Sequence, residues 1–186
     1  MIKEYIKTPT SQAYRLLNSG YLVLIASYSK KKTYNIAPIA WHCVVGKSPT
    51  RILIAVGREH KTYKNIMESK KFVICVPNFS QLDIVKKTGS VSGQTIDKFS
   101  HFNINYTKGN RIKTKLPKGC IGYIECVLLK TYHQPETELI VGECKYAITH
   151  KDAFNKRLLC ENEKGRGLYH LGGGYFSVPS HKILTF

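Results

Sequence analysis

The sequence is short of acids. Its 186 residues include 12 Asp and Glu against 29 Lys and Arg, a formal charge of +17. Carboxylate-rich chemistry is excluded with them: there are no paired catalytic acids, no His-Glu-x-x-His helix and no Ser-His-Asp order. Long apolar runs are missing too. The longest near the start, Tyr21-Leu-Val-Leu-Ile-Ala-Ser27, has strand length, well under the roughly 20 residues of a membrane-spanning helix. The first residues, Met1-Ile-Lys-Glu-Tyr, carry an acid and no apolar signal core, so a cytoplasmic protein without membrane attachment is expected. Neither a Gly-x-x-x-x-Gly-Lys-Ser/Thr loop nor a strand-borne Gly-x-Gly-x-x-Gly is found, which removes the P-loop and the Rossmann site as ways to hold phosphate. With no repeat, low-complexity stretch or Gly/Ser/Pro linker, residues 1–186 are expected to form a single domain.

Six cysteines are present (Cys43, Cys75, Cys120, Cys126, Cys144, Cys160), but no Cys-x-x-Cys, and only the adjacent His42-Cys43 brings a Cys near a His. Four of them sit in apolar strand-like runs, where Cys acts as a small hydrophobe, so reduced thiols and no metal are expected. The excess of cations raises nucleic-acid binding. Its groups are small and separated (Lys30-Lys31-Lys32, Lys70-Lys71, Lys86-Lys87, Arg111 to Lys118) and lie in no helix-turn-helix, zinc-finger or RNA-recognition pattern. A solvated basic surface is the preferred reading, with no nucleic-acid partner; a basic nucleic-acid-binding β-barrel is the alternative from another class.

Helical signals are few: Thr8 to Gly20, Lys61 to Ser69, and Gln81 to Lys87 ended by Gly89. Strand signals dominate, in runs rich in Val, Ile, Tyr and Cys: Tyr21 to Tyr28, Ile36 to Val45, Ile52 to Val56, Phe72 to Val76, Ile121 to Leu129 and Leu139 to Tyr146. Lys47-Ser-Pro-Thr50 joins the second and third as a hairpin. Six strands without strand-helix alternation predict an antiparallel sheet closing on itself. Leu22 to Ala26 and Phe72 to Val76 are apolar on both faces. One face can fill a barrel; the other needs helices or a second subunit, and a homodimer is expected.

Four segments carry chemistry. In Tyr34-Asn-Ile-Ala-Pro-Ile-Ala-Trp-His-Cys43 a Pro within a strand marks an edge, a bulge or backbone free to meet a ligand. In Gly57-Arg-Glu-His-Lys-Thr-Tyr-Lys-Asn65 a strand end runs into a helix start, where Arg58, Lys61 and the Thr62 hydroxyl can converge on phosphate; an ordinary capped helix reads equally well. Thr88-Gly-Ser-Val-Ser-Gly-Gln-Thr-Ile-Asp-Lys-Phe99 places two turns before a short helix at Asp97, and reads otherwise as a surface loop. Leu171-Gly-Gly-Gly-Tyr-Phe176 lets backbone approach a ligand closely. If the protein is an enzyme, a cofactor carries the chemistry.

In that order these segments resemble the flavin reductase-like FMN-binding split barrels, most closely the flavoredoxin type. The marks are Asn35-Ile-Ala-Pro-Ile-Ala-Trp41, His60-Lys-Thr-Tyr-Lys-Asn65-Ile and Val91-Ser-Gly-Gln-Thr-Ile-Asp-Lys-Phe99, with Leu139-Ile-Val-Gly-Glu143 and Leu171-Gly-Gly-Gly174 in support. The resemblance implies a mainly β fold, a six-stranded antiparallel split β-barrel of Greek-key topology with a few short helices, paired as a homodimer around FMN. By position, Asn35, Ala37, Pro38, Ile39, Ala40 and Trp41 would line the isoalloxazine. Arg58, Lys61, Thr62 and Asn65 would cover the ribityl phosphate, and Ser92, Lys98 and Phe99 would close over the cofactor. Many relatives carry a longer or more basic residue where this chain has Tyr175. The implied activity is hydride transfer from NAD(P)H to FMN and onward electron transfer, to a protein acceptor among others; an FMN electron carrier with little NAD(P)H turnover is the alternative on the same fold.

Overall fold

The computed structural model describes residues 20–184 and, before them, Pro9, Leu16 and Leu17. The helix expected over 8–20 therefore lies outside the described residues. The elements in chain order are β1 (Val23–Tyr28), β2 (Tyr34–Ile39), β3 (His42–Lys47), β4 (Thr50–Gly57), α1 (Lys61–Ser69), β5 (Lys71–Val76), α2 (Leu82–Ser90), α3 (Lys98–His101), β6 (Tyr106–Lys108), β7 (Lys115–Pro117), β8 (Gly122–His133), β9 (Thr137–Thr149), β10 (Phe154–Asn155), β11 (Arg157–Leu158), β12 (Tyr169–Gly172) and β13 (Tyr175–Ser177).

Seven strands form one antiparallel sheet in the order β2-β1-β5-β8-β9-β4-β3. β4 and β5 follow one another in the chain yet are parted by the β8–β9 hairpin, a Greek-key feature. The sheet stays open, and its two edges, β2 and β3, come from one run. The strand expected over 36–45 ends at Ile39, bends through Ala40 and Trp41, and resumes at His42 on the far edge. The barrel is thus split where the chain itself crosses the seam, and the Ala55 N–H donates to Trp41 O at 3.0 Å, which carries the β3–β4 pairing one residue past His42 into the bend. That bend accounts for seven strands against the expected six. Pro38, paired with Leu24, stands on an edge strand, where its missing N–H costs no ladder bond.

Alternation sorts β1 and β5 into two cores. Val23, Ile25, Phe72 and Ile74 face inward with Ile54, Val56 and Ile140, and Ile66 of α1 packs among them. Leu24, Ala26, Val73 and Cys75 face outward against Val85 of α2, Phe99 of α3, and Ile104, Ile112 and Leu116. The outer face is covered by the chain's own helices and its 102–121 segment, so the two-sided apolar strands do not by themselves require a second subunit. Glu125, 1% exposed, secures that cover: its carboxylate accepts the N–H groups of Asn110, Arg111 and Ile112 at 2.6, 2.8 and 2.5 Å, which satisfies a buried charge.

α1 has the bounds expected of it. α2 runs one turn further than expected, to Ser90, so Gly89 is not its terminator. The glycine serves packing: a Cβ there would stand 3.0 Å from the Pro38 ring, and its absence lets α2 lie on β2. All six cysteines are free, and no His/Cys/Asp/Glu cluster able to hold a metal occurs among the described residues. No helix among them is long and apolar enough to cross a membrane.

Candidate cofactor site

β2 ends in three adjoining cavities that share Pro38. The first, about 370 Å³, is lined by Ala37, Pro38 and Ile39 of β2, by His60 and Thr62 at the start of α1, by Thr88 to Ser92 at the end of α2, and by Lys98. The second, about 470 Å³, shares Val56 and His60 with the first and adds Ala40, Trp41, Glu59 and Thr137. The third, about 390 Å³, lies between Leu22, Val85, Lys86 and the Gly173-Gly174 turn. These volumes are ordinary for small-molecule sites, and apolar walls with few polar groups are the usual lining.

The polar groups gather in the first cavity. α1 begins after His60 with no side-chain cap and no acid in its first turn, so the N–H groups at its start keep their partial positive charge. Thr62, 1% exposed, sits in that turn. Its hydroxyl accepts from Asn35 Nδ2 at 2.9 Å, which leaves its own proton to donate. Lys98 is 4% exposed, and its Nζ donates to Thr88 O at 2.5 Å. Among the described residues it forms no salt bridge. Burial without a counter-charge lowers its pKa from the ordinary value to about 8. Asp97 caps α3 through Phe99 N and Ser100 N, so that carboxylate is spent locally.

Of the residues singled out in the sequence, Ala37, Pro38, Ile39, Thr62, Ser92 and Lys98 line the first cavity, Ala40 lines the other two and Trp41 the second. The other five, Arg58 first among them, do not line these cavities. Arg58 does not converge with Lys61 and Thr62, because its guanidinium reaches the β8–β9 turn, donating to Pro135 O at 2.8 Å and meeting the His133 ring. Lys61 faces a separate hollow of about 320 Å³ with Lys32, Tyr34 and the 93–97 loop. Asn65 is buried and donates to Ser27 Oγ at 3.2 Å, tying α1 to β1. Phe99 belongs to the outer core, edge-on to Tyr106. Asn35 lies under the floor, 2% exposed. Its Oδ1 faces Gly93 so closely that a Cβ there would stand 2.0 Å away.

Sequence reasoning passed over His60, Thr88 and His170, which also line these cavities. The first two lie inside or next to the quoted motifs, and His170 directly precedes the Leu171-Gly-Gly-Gly run, so position beside a motif was the available signal.

The donor set fits a phosphate monoester: a buried ammonium, a hydroxyl with a free proton and an uncapped helix start. The apolar β2 end next to it fits a planar ring.

Comparison with known proteins agrees. The pattern of the family described as "Flavin reductase like domain" matches residues 14–178. A protein of Escherichia coli (strain K12), "Uncharacterized protein YddH", is 32% identical over 188 residues, covering 99% of each chain. Among solved structures, an FMN-binding protein from Thermus thermophilus superposes with a TM-score of 0.82 at 18% identity, over 100% of this chain and 99% of that one. A flavoredoxin from Methanosarcina acetivorans gives 0.81 at 19% identity, over 98% and 95%. At such identities these structures establish the fold.

Proposed function

Because the chain belongs to the flavin reductase-like family, we propose that it binds FMN, takes hydride from NAD(P)H and passes electrons on to a separate acceptor. The observation that carries the reading is Lys98, a buried cation that forms no salt bridge among the described residues, set in the wall of a cavity that also receives the start of α1. Such a group is costly until an anion arrives. FMN supplies the hydride chemistry when bound.

The residues supply binding and orientation. Lys98 keeps two N–H donors after its bond to Thr88 O, and these serve phosphate oxygens. Thr62 donates its hydroxyl proton to the same group, its orientation set by Asn35. Pro38, Ile39, Ala40 and Trp41 give the apolar surface that excludes water from the ring. No side chain acts as acid or base in this scheme.

The proposal includes a cytoplasmic homodimer. Edge strand β3 exposes Val44 (67%) and Val45 (48%), and Trp41 beside it is half exposed. A bare apolar edge of this kind is a pairing surface, and a second copy covers it. Sedimentation at micromolar concentration with FMN bound reads twice the 21.1 kDa chain mass if so, and the chain mass if not.

The test of function is anaerobic titration. Added FMN gives a protein-bound flavin spectrum that NADH or NADPH bleaches faster than free FMN. Failure to take up FMN overturns the reading; uptake with bleaching no faster than free FMN replaces it with the electron carrier.

A further inference from the structure

His170 on β12 borders both the second and the third cavity, beside Pro38, Ala40 and Gly173. Its Nε2 donates to Gly173 O at 3.0 Å, and its ring packs on Phe176 at 5.4 Å between centroids. In the neutral ring that bond puts the proton on Nε2 and leaves Nδ1 with a lone pair. Nδ1 is buried and has no hydrogen-bond partner among the described residues. A buried acceptor left unmade is costly, and the residue that carries it lines two adjoining cavities. The turn that holds the ring is built for close approach: Gly172 and Gly173 have φ of 109° and 57°, and a Cβ at Gly173 or Gly174 would meet nothing within 4 Å.

We infer that His170 Nδ1 accepts a hydrogen bond from an N–H donor of a planar heterocycle held in this cleft, which makes His170 a recognition residue. The inference rests on the FMN reading above, and two sources carry that chemistry: the imide N–H of the flavin and the carboxamide of a nicotinamide donor. The surrounding Pro38, Ala40 and Phe176 offer no competing polar side chain. The nearby acids, Glu59 and Glu136, line only the second cavity.

The test compares His170→Phe, which keeps a ring but removes both nitrogens, with His170→Asn, whose amide oxygen can stand near the Nδ1 position. Both lose the bond to Gly173 O, so their difference isolates the acceptor. Fluorescence quenching gives the affinity for FMN and for its N3-methyl analogue. Competition on the FMN-loaded protein gives the affinity for oxidised nicotinamide dinucleotide and its 3-acetylpyridine analogue, which lacks the amide N–H. Wild type and His170→Asn are expected to prefer one N–H-bearing ligand over its analogue by about fivefold, the scale of one neutral hydrogen bond, and His170→Phe to lose that preference. Whichever pair responds names the source. Equal preference in His170→Phe and wild type, or none in wild type, overturns the inference while FMN binding stands; wild type that binds no FMN overturns the FMN reading and this inference with it.

Discussion

Arg58 and Lys98 are both cations in motifs that resemble parts of a cofactor site, and the structure treats them in opposite ways. Arg58 lies beside the β8–β9 turn, already bonded to Pro135 O and the His133 ring. Lys98 lies inside, 4% exposed, with one carbonyl for company and its pKa lowered to about 8. A solvated, occupied guanidinium loses little by staying as it is. A desolvated ammonium gains a great deal from an anion. Charge count marks neither as a site; burial and unspent valence do.

The largest expected effect separates these two directly. Lys98→Met removes the charge and keeps the stem. A charge-assisted hydrogen bond contributes roughly 1.5–3 kcal/mol, so FMN binding should weaken by about tenfold to a hundredfold while riboflavin, which has no phosphate, barely changes. Fluorescence quenching with both ligands reads this. Loss of both affinities together would mean that Lys98 shapes the cavity generally.

Next comes pH. The folded pKa of Lys98 lies below the ordinary lysine value, so between about 8 and 10.5 the folded protein binds fewer protons than the unfolded chain. The free protein carries the cost of this buried charge below about pH 8 and sheds it as pH rises. FMN affinity follows the opposite course: it holds near neutrality, where the phosphate is doubly charged, and falls as pH passes 8. Titration of affinity from pH 7 to 9.5 should show that fall in wild type and a flat line in Lys98→Met.

Thr62→Val is expected to weaken FMN by about fivefold to tenfold, roughly 1–1.4 kcal/mol. It also strips Asn35 Nδ2 of its acceptor, so the melting temperature should drop as well. Thr62→Ser restores both quantities if the hydroxyl is what matters. The smallest effect is Arg58→Ala, under about twofold for FMN, because a solvated cation bonded elsewhere adds little through a screening solvent. A tenfold loss there would reverse the comparison.

Much of this was legible in the sequence, for reasons that also mark its limit. Strands such as Phe72 to Val76 announce themselves by β-branched and aromatic residues, and the two cores follow from alternation along them. The β2–β3 break did not show, since Ala40-Trp41 carries no glycine or other turn residue; it is imposed by the sheet, whose two edges both need this run. Thr62 and Lys98 could be found because the residues that flank them match the motifs of the family the chain resembles, Thr62 standing also at a helix start. Arg58 and Asn65 carry equally suitable groups, and only long-range partners, Pro135 at the tip of a distant hairpin and Ser27 on β1, take them out of the cavity.

The most direct measurement is the affinity of the wild-type protein for FMN against riboflavin at pH 7 and low salt. Phosphate held by Lys98, Thr62 and the start of α1 requires FMN to bind at least about tenfold more tightly. Equal affinities would contradict it.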